Sequence, residues 1–537
     1  MSQFWADERA DAVEARHPAP YVVSDTKTPS GTIHVGALRG VVLHDAMARQ
    51  LRSRGHSVRY IYGFDDFDPF DKIPKYLDST YAEFLGKPMV DIPAPDENGK
   101  PSGEVTLARN YGRHYADEFE AVYRSLGVES DTVYSSQEYR TGRFDEAIRL
   151  VLDRRDAIQA AYDEAIAHRS DDRVGKEVVA RFPVNVRCEA CGKIATTEVT
   201  AWDGTQVTYA CRPDVVPYVV GCGHTGTLSP LGGNAKLPWK IEWAAKWFIW
   251  KSDLEGGGKD HYTKGGSRDV ARAVFSRVFA PQAEPGYNTV PEDLFYEWFY
   301  VGGAKMSTSK GVGQSATAVA NQIPAELLRL LMVRTRPRTA VNYEETPDAI
   351  PDLYDEYDRL LAAYRRGLKS VDGTLFELIR LREHAELPEY TMRFRKVTSL
   401  VEHDQLMRQD TVIEQAEEEK GSPLTDSELA ELVHRVTIAR TWFAQHRSPS
   451  TTAQIDDQQK EFLLTFLRMS EGLETWDASA IQSLIHDAKN QSGLAPKQAF
   501  QAIYAVILGA TSGPQAGHLL ASRDKAEVLQ TLQKAVE

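Results

Sequence analysis

Between positions 21 and 66 the sequence changes its period twice, and that alternation constrains the fold more than any other feature of the chain. Tyr21-Val22-Val23-Ser24 reads as a short strand, and Thr28-Pro29-Ser30-Gly31 reads as a turn. Residues 34–54 read as a helix, with Val35, Leu38, Val42, Met47 and Leu51 forming an apolar stripe. Gly55 can stop that helix, and residues 57–62 form a second strand that ends at Gly63-Phe64-Asp65-Asp66. Strand, helix and strand in this order predict a βαβ unit. The expected fold class is therefore α/β, a Rossmann-type parallel sheet that carries its ligands at the strand ends.

Further along, residues 105–170 read as mostly helical, with Tyr111, Tyr115, Phe119, Val122 and Tyr123 at helical spacing. Residues 182–235 contain every cysteine, many β-branched residues and frequent Gly and Pro, which suggests a small β-rich insertion. Residues 236–300 return to α/β character. From about 345 onward Ile350, Leu353, Tyr354, Tyr357, Leu360, Leu361 and Tyr364 open a region that reads as all helix. The expected organisation is a catalytic domain in two halves, 1–140 and 236–300, split by an insertion at 141–235. A connecting segment at 301–345 and an all-α region at 346–537 would follow. At about 100–200 residues per domain, 537 residues accommodate these parts.

The balance of 77 acidic against 63 basic side chains gives a net charge of −14. This disfavours indiscriminate binding to nucleic acid but says nothing of a local basic patch. No apolar run reaches the roughly 18 residues of a membrane span, and the N-terminus lacks a signal-peptide core, so a cytoplasmic protein with no membrane partner is expected.

Two segments point to phosphate chemistry. The turn from Thr28 through Ser30 and Gly31 leads into His34-Val35-Gly36-Ala37 at a helix start. Small residues there let the backbone approach a ligand, while the free N–H groups and the positive dipole end favour an anion. His34 can donate to a phosphate oxygen, and Gly36 leaves space for a flat ring such as adenine. The second segment is Lys305-Met306-Ser307-Thr308-Ser309-Lys310-Gly311. Its two lysines and its hydroxyls suit a polyphosphate, whose charge they would neutralise as pyrophosphate leaves.

HVGA (34–37) and KMSTSKG (305–311) resemble the two signatures of class I aminoacyl-tRNA synthetases, in the expected order. With TPSGTIHVGALRG (28–40), LPWKIEW (237–243), GGKDHYTKGGSRD (257–269) and a C-terminal run at 499–514, the chain resembles the class I lysyl-tRNA synthetases over most of its length. The glutamyl enzymes are the nearest relatives of that family in architecture. The resemblance implies ATP-dependent attachment of L-lysine to tRNA(Lys) through a lysyl-adenylate, with Mg2+ accompanying ATP. It implies catalytic roles for His34, Lys305 and Lys310. Ser30, Gly31, Gly36, Gly258, Asp260, Ser307 and Ser309 would join them around ATP. Thr26, Thr28, Trp239, Glu242 and His261 would hold the amino acid.

Four positions depart from the family's pattern. Ala37 stands where the generic signature has a second histidine and the lysyl family an asparagine. Thr26 stands where glycine is expected, Glu242 where aspartate is expected, and Thr308 replaces the middle lysine of the second signature. A related synthetase for another amino acid, such as glutamate, a catalytically silent RNA-binding paralogue and a small-molecule ligase are the rival readings. A lysine substrate needs a carboxylate and can use an aromatic face, for which Glu242, Asp65, Asp66, Trp239, Trp243 and Tyr62 are available.

Cys188 and Cys191 form a C-x-x-C knuckle, and Cys211 and Cys222 follow at looser spacing. Four thiolates can close a tetrahedral structural zinc site, with His224 a possible substitute for a late cysteine. The resemblance also implies an anticodon-binding region from 346 onward. Basic clusters at Arg329, Arg334, Arg336 and Arg338, at Arg365, Arg366 and Lys369, and at Arg393, Arg395 and Lys396 are candidates for phosphate contact.

Overall fold

The structure, a computed structural model, describes residues 4–167, 179–302, 315–367, 370–381, 386–402, 409–446, 455–510, 513 and 515–537. The chain forms two compact units, one of residues 1–346 with 360–383 and one of residues 347–359 with 384–537.

The first unit is built on a five-stranded sheet. Its strands are β1 (Tyr21–Lys27), β2 (Val58–Phe64), β3 (Asp131–Tyr134), β4 (Leu254–Gly258) and β5 (Glu292–Tyr296). Their order across the sheet is β5-β4-β1-β2-β3, and every pairing is parallel. The central strand β1 runs in register with β2 over its whole length, from Tyr21 opposite Val58 to Lys27 opposite Phe64. Chain connections leave β1 in one direction toward β2 and β3 and in the other toward β4 and β5. Ligands of such sheets bind at that reversal, beyond the carboxyl ends of the strands. The expected Rossmann-type α/β class is borne out.

Helix α1 (Val35–Ser53) crosses from β1 to β2, and His34 occupies its N-cap position. It ends where Gly55 takes a φ of +88°, a conformation glycine adopts without strain. The sequence suggests one apolar stripe. The helix is instead buried almost all round, because helices Trp5–Glu14 and Ala325–Val333 pack on it beside the sheet. Its charged residues are therefore internal. Arg39 donates to the backbone carbonyls of Glu297, Trp298, Pro337 and Thr339. Asp45 receives both Arg49 and the fully buried Arg329, the latter at 2.6 Å. Arg329 thus belongs to the interior and not to an RNA-facing cluster. In the same region Arg336 pairs with Glu8.

The segment read as mostly helical contains helix α2 (Tyr111–Ser125), but also β3, which the helical reading missed. In the insertion, Thr197–Trp202, Val207–Cys211 and Thr225–Leu228 form an antiparallel three-stranded sheet. Helix α3 (Trp239–Trp250) then leads into β4, and helix α4 (Ser267–Val274) into β5.

The second unit is all helical, as expected. From Asp457 to the end, five helices enclose a core that includes Phe462, Phe466, Ile481, Ile503, Leu519 and Leu532. Several begin at an aspartate cap: Asp456 and Gln459 form a reciprocal capping box, and Asp477 and Asp524 accept from the first turns of their helices. Elsewhere in this unit Arg435 is buried and paired with Asp358 and Glu431. Of the third basic cluster, Arg393 pairs with Asp355, Arg395 with Asp348, Asp352 and Asp355, and Lys396 with Glu419. Lys369 lies outside the described residues.

Candidate active site

A cavity of about 730 Å³ opens over the carboxyl ends of β1, β2, β4 and β5. Ser30, His34, Gly36, Gly258, Asp260, Thr26, Thr28, Trp239, Glu242 and His261 all line it. Lys305, Ser307, Ser309 and Lys310 lie outside the described residues. The chain resumes at Ser315, which forms a β-bridge to His34, and Ala316 N–H donates to the Ile33 carbonyl at 2.9 Å.

The turn after β1 is held from outside the βαβ unit. Tyr111 Oη donates to the Ser30 carbonyl at 2.9 Å, and Thr32 N–H donates to Tyr76 Oη at 2.7 Å. Gly31 does not line the cavity. A Cβ there would lie 2.6 Å from Tyr76 Oη and 3.3 Å from Pro74, and the φ of +155° also favours glycine, so a small residue suits the turn that the tyrosine braces. Gly36 lines the cavity, and the His34 ring lies 2.9 Å from where a Cβ on it would be. Burial, aided by the charge of Lys27, pushes the His34 pKa down to about 4. The imidazole is neutral at pH 7, and its buried Nδ1 has no partner among the described residues. A buried polar atom in that state calls for a ligand.

The other wall carries a chain of ion pairs. Lys236 is buried between Asp68, at 2.8 Å, and Glu242. Lys246 joins Asp65 and lies 3.8 Å from Glu242 Oε1. Thr28 Oγ1 donates to Asp68 at 2.8 Å. Among the described residues the bonded network holds three carboxylates and two ammonium groups, one carboxylate in excess, and the Lys27 ammonium acts on Asp65 from outside it. Burial pushes the Glu242 pKa up to about 6 against the pull of Lys236 and Lys246. Its Oε1 is buried and accepts no hydrogen bond among the described residues.

Beside this network stand three aromatic rings. Trp239 is 46 % exposed, whereas Trp243 is buried and lies 6.3 Å from it. His261 meets both rings edge-on, at 5.8 and 5.4 Å. Trp243 and Trp247 each donate Nε1–H to Glu255, which is also paired with Arg268. That buried carboxylate fixes the tryptophan wall. Of the two strand-end acids, only Asp65 reaches the cavity. Asp66 accepts from Ser135 Oγ and from Ser136 N–H and Oγ, and so ties β2 to β3.

Lys27, Asp68, Lys236 and Lys246 were not singled out from sequence. Lys246 was accessible, lying one turn after Glu242 on α3. The others come together only through the fold.

In the insertion, the sulfur atoms of Cys188, Cys191, Cys211 and Cys222 all lie within 4.8 Å of one another. Cys188 and Cys222 are 3.7 Å apart, and Cys191 and Cys211 are 3.8 Å apart. Zinc–sulfur bonds of about 2.3 Å in a tetrahedron give sulfur–sulfur edges of about 3.8 Å, so the four thiols fit such an ion. Cys222 N–H and Thr196 Oγ1 approach the Cys211 sulfur at 3.3 and 3.2 Å, as outer partners of a ligand would. His224 stands outside the group.

Residues 3–382 match the family model described as tRNA synthetases class I (K). The chain belongs to that family. Residues 388–536 of this class I synthetase match a model described as an anticodon binding domain. Among its relatives are the lysine–tRNA ligase of Methanosarcina barkeri, 30 % identical over 99 % of this chain and 97 % of that one. Lysine–tRNA ligase 1 of Methanosarcina acetivorans is 31 % identical, with 99 % and 98 % covered. A solved glutamate tRNA ligase from Elizabethkingia meningosepticum covers 96 % of the synthetase and 99 % of its own chain, with a TM-score of 0.44 and 11 % identity. Among the described residues of the synthetase, no helix is long and apolar enough to cross a membrane.

Proposed function

We propose that this synthetase attaches L-lysine to tRNA(Lys) through a lysyl-adenylate. The observation that carries the reading is the excess carboxylate in the Asp65–Lys246–Glu242–Lys236–Asp68 network, with Glu242 Oε1 unpartnered beside the Trp239 and Trp243 rings. A substrate ammonium completes that network in charge and in hydrogen bonding. The names of the full-length relatives support the same amino acid.

In the first step the lysine carboxylate attacks the α-phosphorus of ATP, which enters as its magnesium complex, and pyrophosphate departs. In the second, the 2′-hydroxyl of the terminal ribose of tRNA attacks the adenylate carbonyl and AMP departs. Neither step needs a covalent enzyme intermediate; positioning and charge stabilisation suffice. His34 donates to phosphate at the start of α1, and Ser30 lines the same pocket. Gly258 and Asp260 border the ribose. Lys305 and Lys310, with Ser307 and Ser309, neutralise the departing pyrophosphate. Thr26, Thr28, Trp239, Glu242 and His261 hold the amino acid. Cys188, Cys191, Cys211 and Cys222 hold a structural zinc ion, which fixes the insertion and takes no part in either step. Residues 1–140 and 236–300 carry the chemistry, 141–235 the zinc-bearing insertion, 301–345 the second signature, and 346–537 the anticodon reader.

Amino-acid-dependent exchange of pyrophosphate into ATP, measured with each of the twenty amino acids, tests the reading. Exchange driven by lysine, followed by charging of tRNA(Lys), is expected. Exchange driven by glutamate, or by no amino acid, overturns it.

A further inference from the structure

Among the described residues three lysines line the cavity. Lys236 and Lys246 are committed to carboxylates of the protein. Lys27 is different: among the described residues its ammonium group makes no hydrogen bond and no ion pair, the charges of Asp25 and Asp65 acting on it only from a distance, and it is half-buried at the carboxyl end of the central strand. An ammonium group that lines the cavity without a bonded partner is placed to meet a ligand of opposite charge.

Its position in the sheet identifies the part of the ligand. Residues two apart on a strand share a face. Asp25 stands on the face covered by α1, with its carboxylate 3.5 Å from His44 Nδ1. Lys27 therefore shares the α1 face, toward the helix start that carries His34. Lys27 lines the same cavity as His34, at the start of α1, and His261, beside the tryptophans. It thus stands where the two substrates meet. A protein ammonium repels the ammonium of lysine, and it attracts the anionic atoms that react.

We propose that Lys27 is a catalytic residue of adenylate formation, its ammonium group held on a non-bridging oxygen of the α-phosphate of ATP. This rests on the function proposed above. In the step concerned, a bond forms between a carboxylate oxygen of lysine and the α-phosphorus. The bond from that phosphorus to the bridging oxygen breaks, and pyrophosphate leaves with the electron pair. Lys27 keeps its proton throughout and opposes the charge that builds on the α-phosphoryl oxygens.

The test compares the unmodified enzyme with Lys27→Met and Lys27→Arg. AMP and adenosine binding are read by calorimetry, and lysine-dependent pyrophosphate exchange is read in parallel. Losing one charge-assisted hydrogen bond should weaken AMP binding about tenfold or more in Lys27→Met and leave adenosine binding unchanged. Lysine-dependent exchange should fall in kcat with the lysine KM little changed, and Lys27→Arg should regain most of the AMP affinity. Equal losses for AMP and adenosine, or a raised lysine KM with AMP binding intact, overturn the proposal. An unmodified enzyme that exchanges with no amino acid overturns the proposed function and this step with it. An active enzyme whose Lys27→Met variant binds AMP normally overturns the role of Lys27 alone.

Discussion

Lys236 and Glu242 form an ion pair in which the side chains are only 1 % and 2 % exposed. A pair so far from water contributes less through attraction than it costs when broken. Both partners also serve others: Lys236 binds Asp68, and Glu242 faces Lys246.

Lys236→Met should accordingly cost about 3–5 kcal/mol, because it leaves buried carboxylates without a counter-charge. Urea unfolding at pH 7 reads the loss. A change under about 1 kcal/mol would show that the pair is not buried in solution, since exposed pairs fall in that range.

Glu242→Gln keeps the shape of the side chain and removes the excess negative charge. The lysine KM should rise by about 10- to 100-fold, the worth of one hydrogen bond to a charged group, while the ATP KM stays within about threefold. Equal increases for both substrates would place Glu242 outside the amino-acid subsite.

The cysteine cluster predicts about one zinc ion per chain in the purified protein, measured by plasma emission spectrometry. Removing it with a strong chelator should lower the Tm, because the four thiols tie residues 188–222 together. Cys211→Ser should lower both zinc content and Tm. A protein that holds no zinc and melts the same with and without chelator rules the ion out.

Acid should weaken the protein through His44, whose pKa burial pushes down to about 4. Above about pH 6.5 the imidazole is neutral in the folded and unfolded chain alike. Below that the unfolded chain takes up the proton first, so stability is lost progressively as pH falls from about 6.5 to about 4. Between pH 7 and pH 5 this amounts to roughly 2 kcal/mol. His44→Gln should be less acid-sensitive by about that amount in urea unfolding at the two pH values. Asp25, pushed up to about 7 by burial, works in the opposite sense and is common to both proteins.

The βαβ unit was legible because its period changes within a few residues, from strand to helix and back. β3 was not, since Asp131–Tyr134 is four residues long and follows a strong helical pattern. The residue types around the cavity were legible as motifs, but their pairings were not. Glu242 reads as an acid waiting for a substrate. That Lys236 and Lys246 also bind Asp68 and Asp65 depends on the ends of β2 and α3 meeting in space. The same limit applies to the arginines. Arg329 and Arg336 belong to one run of sequence, yet one is fully buried against Asp45 and the other exposed against Glu8.

The phenol of Tyr76 and the glycine at 31 have a thermodynamic consequence. The turn proposed to receive the nucleotide is shaped by a residue supplied from the segment between β2 and β3, through the Thr32 N–H bond and its close approach to Gly31. Its conformational entropy is surrendered once, when the chain folds, and not again at each catalytic cycle. A change at Tyr76, which lies outside the cavity lining, would therefore act on nucleotide affinity by loosening the turn before the ligand arrives.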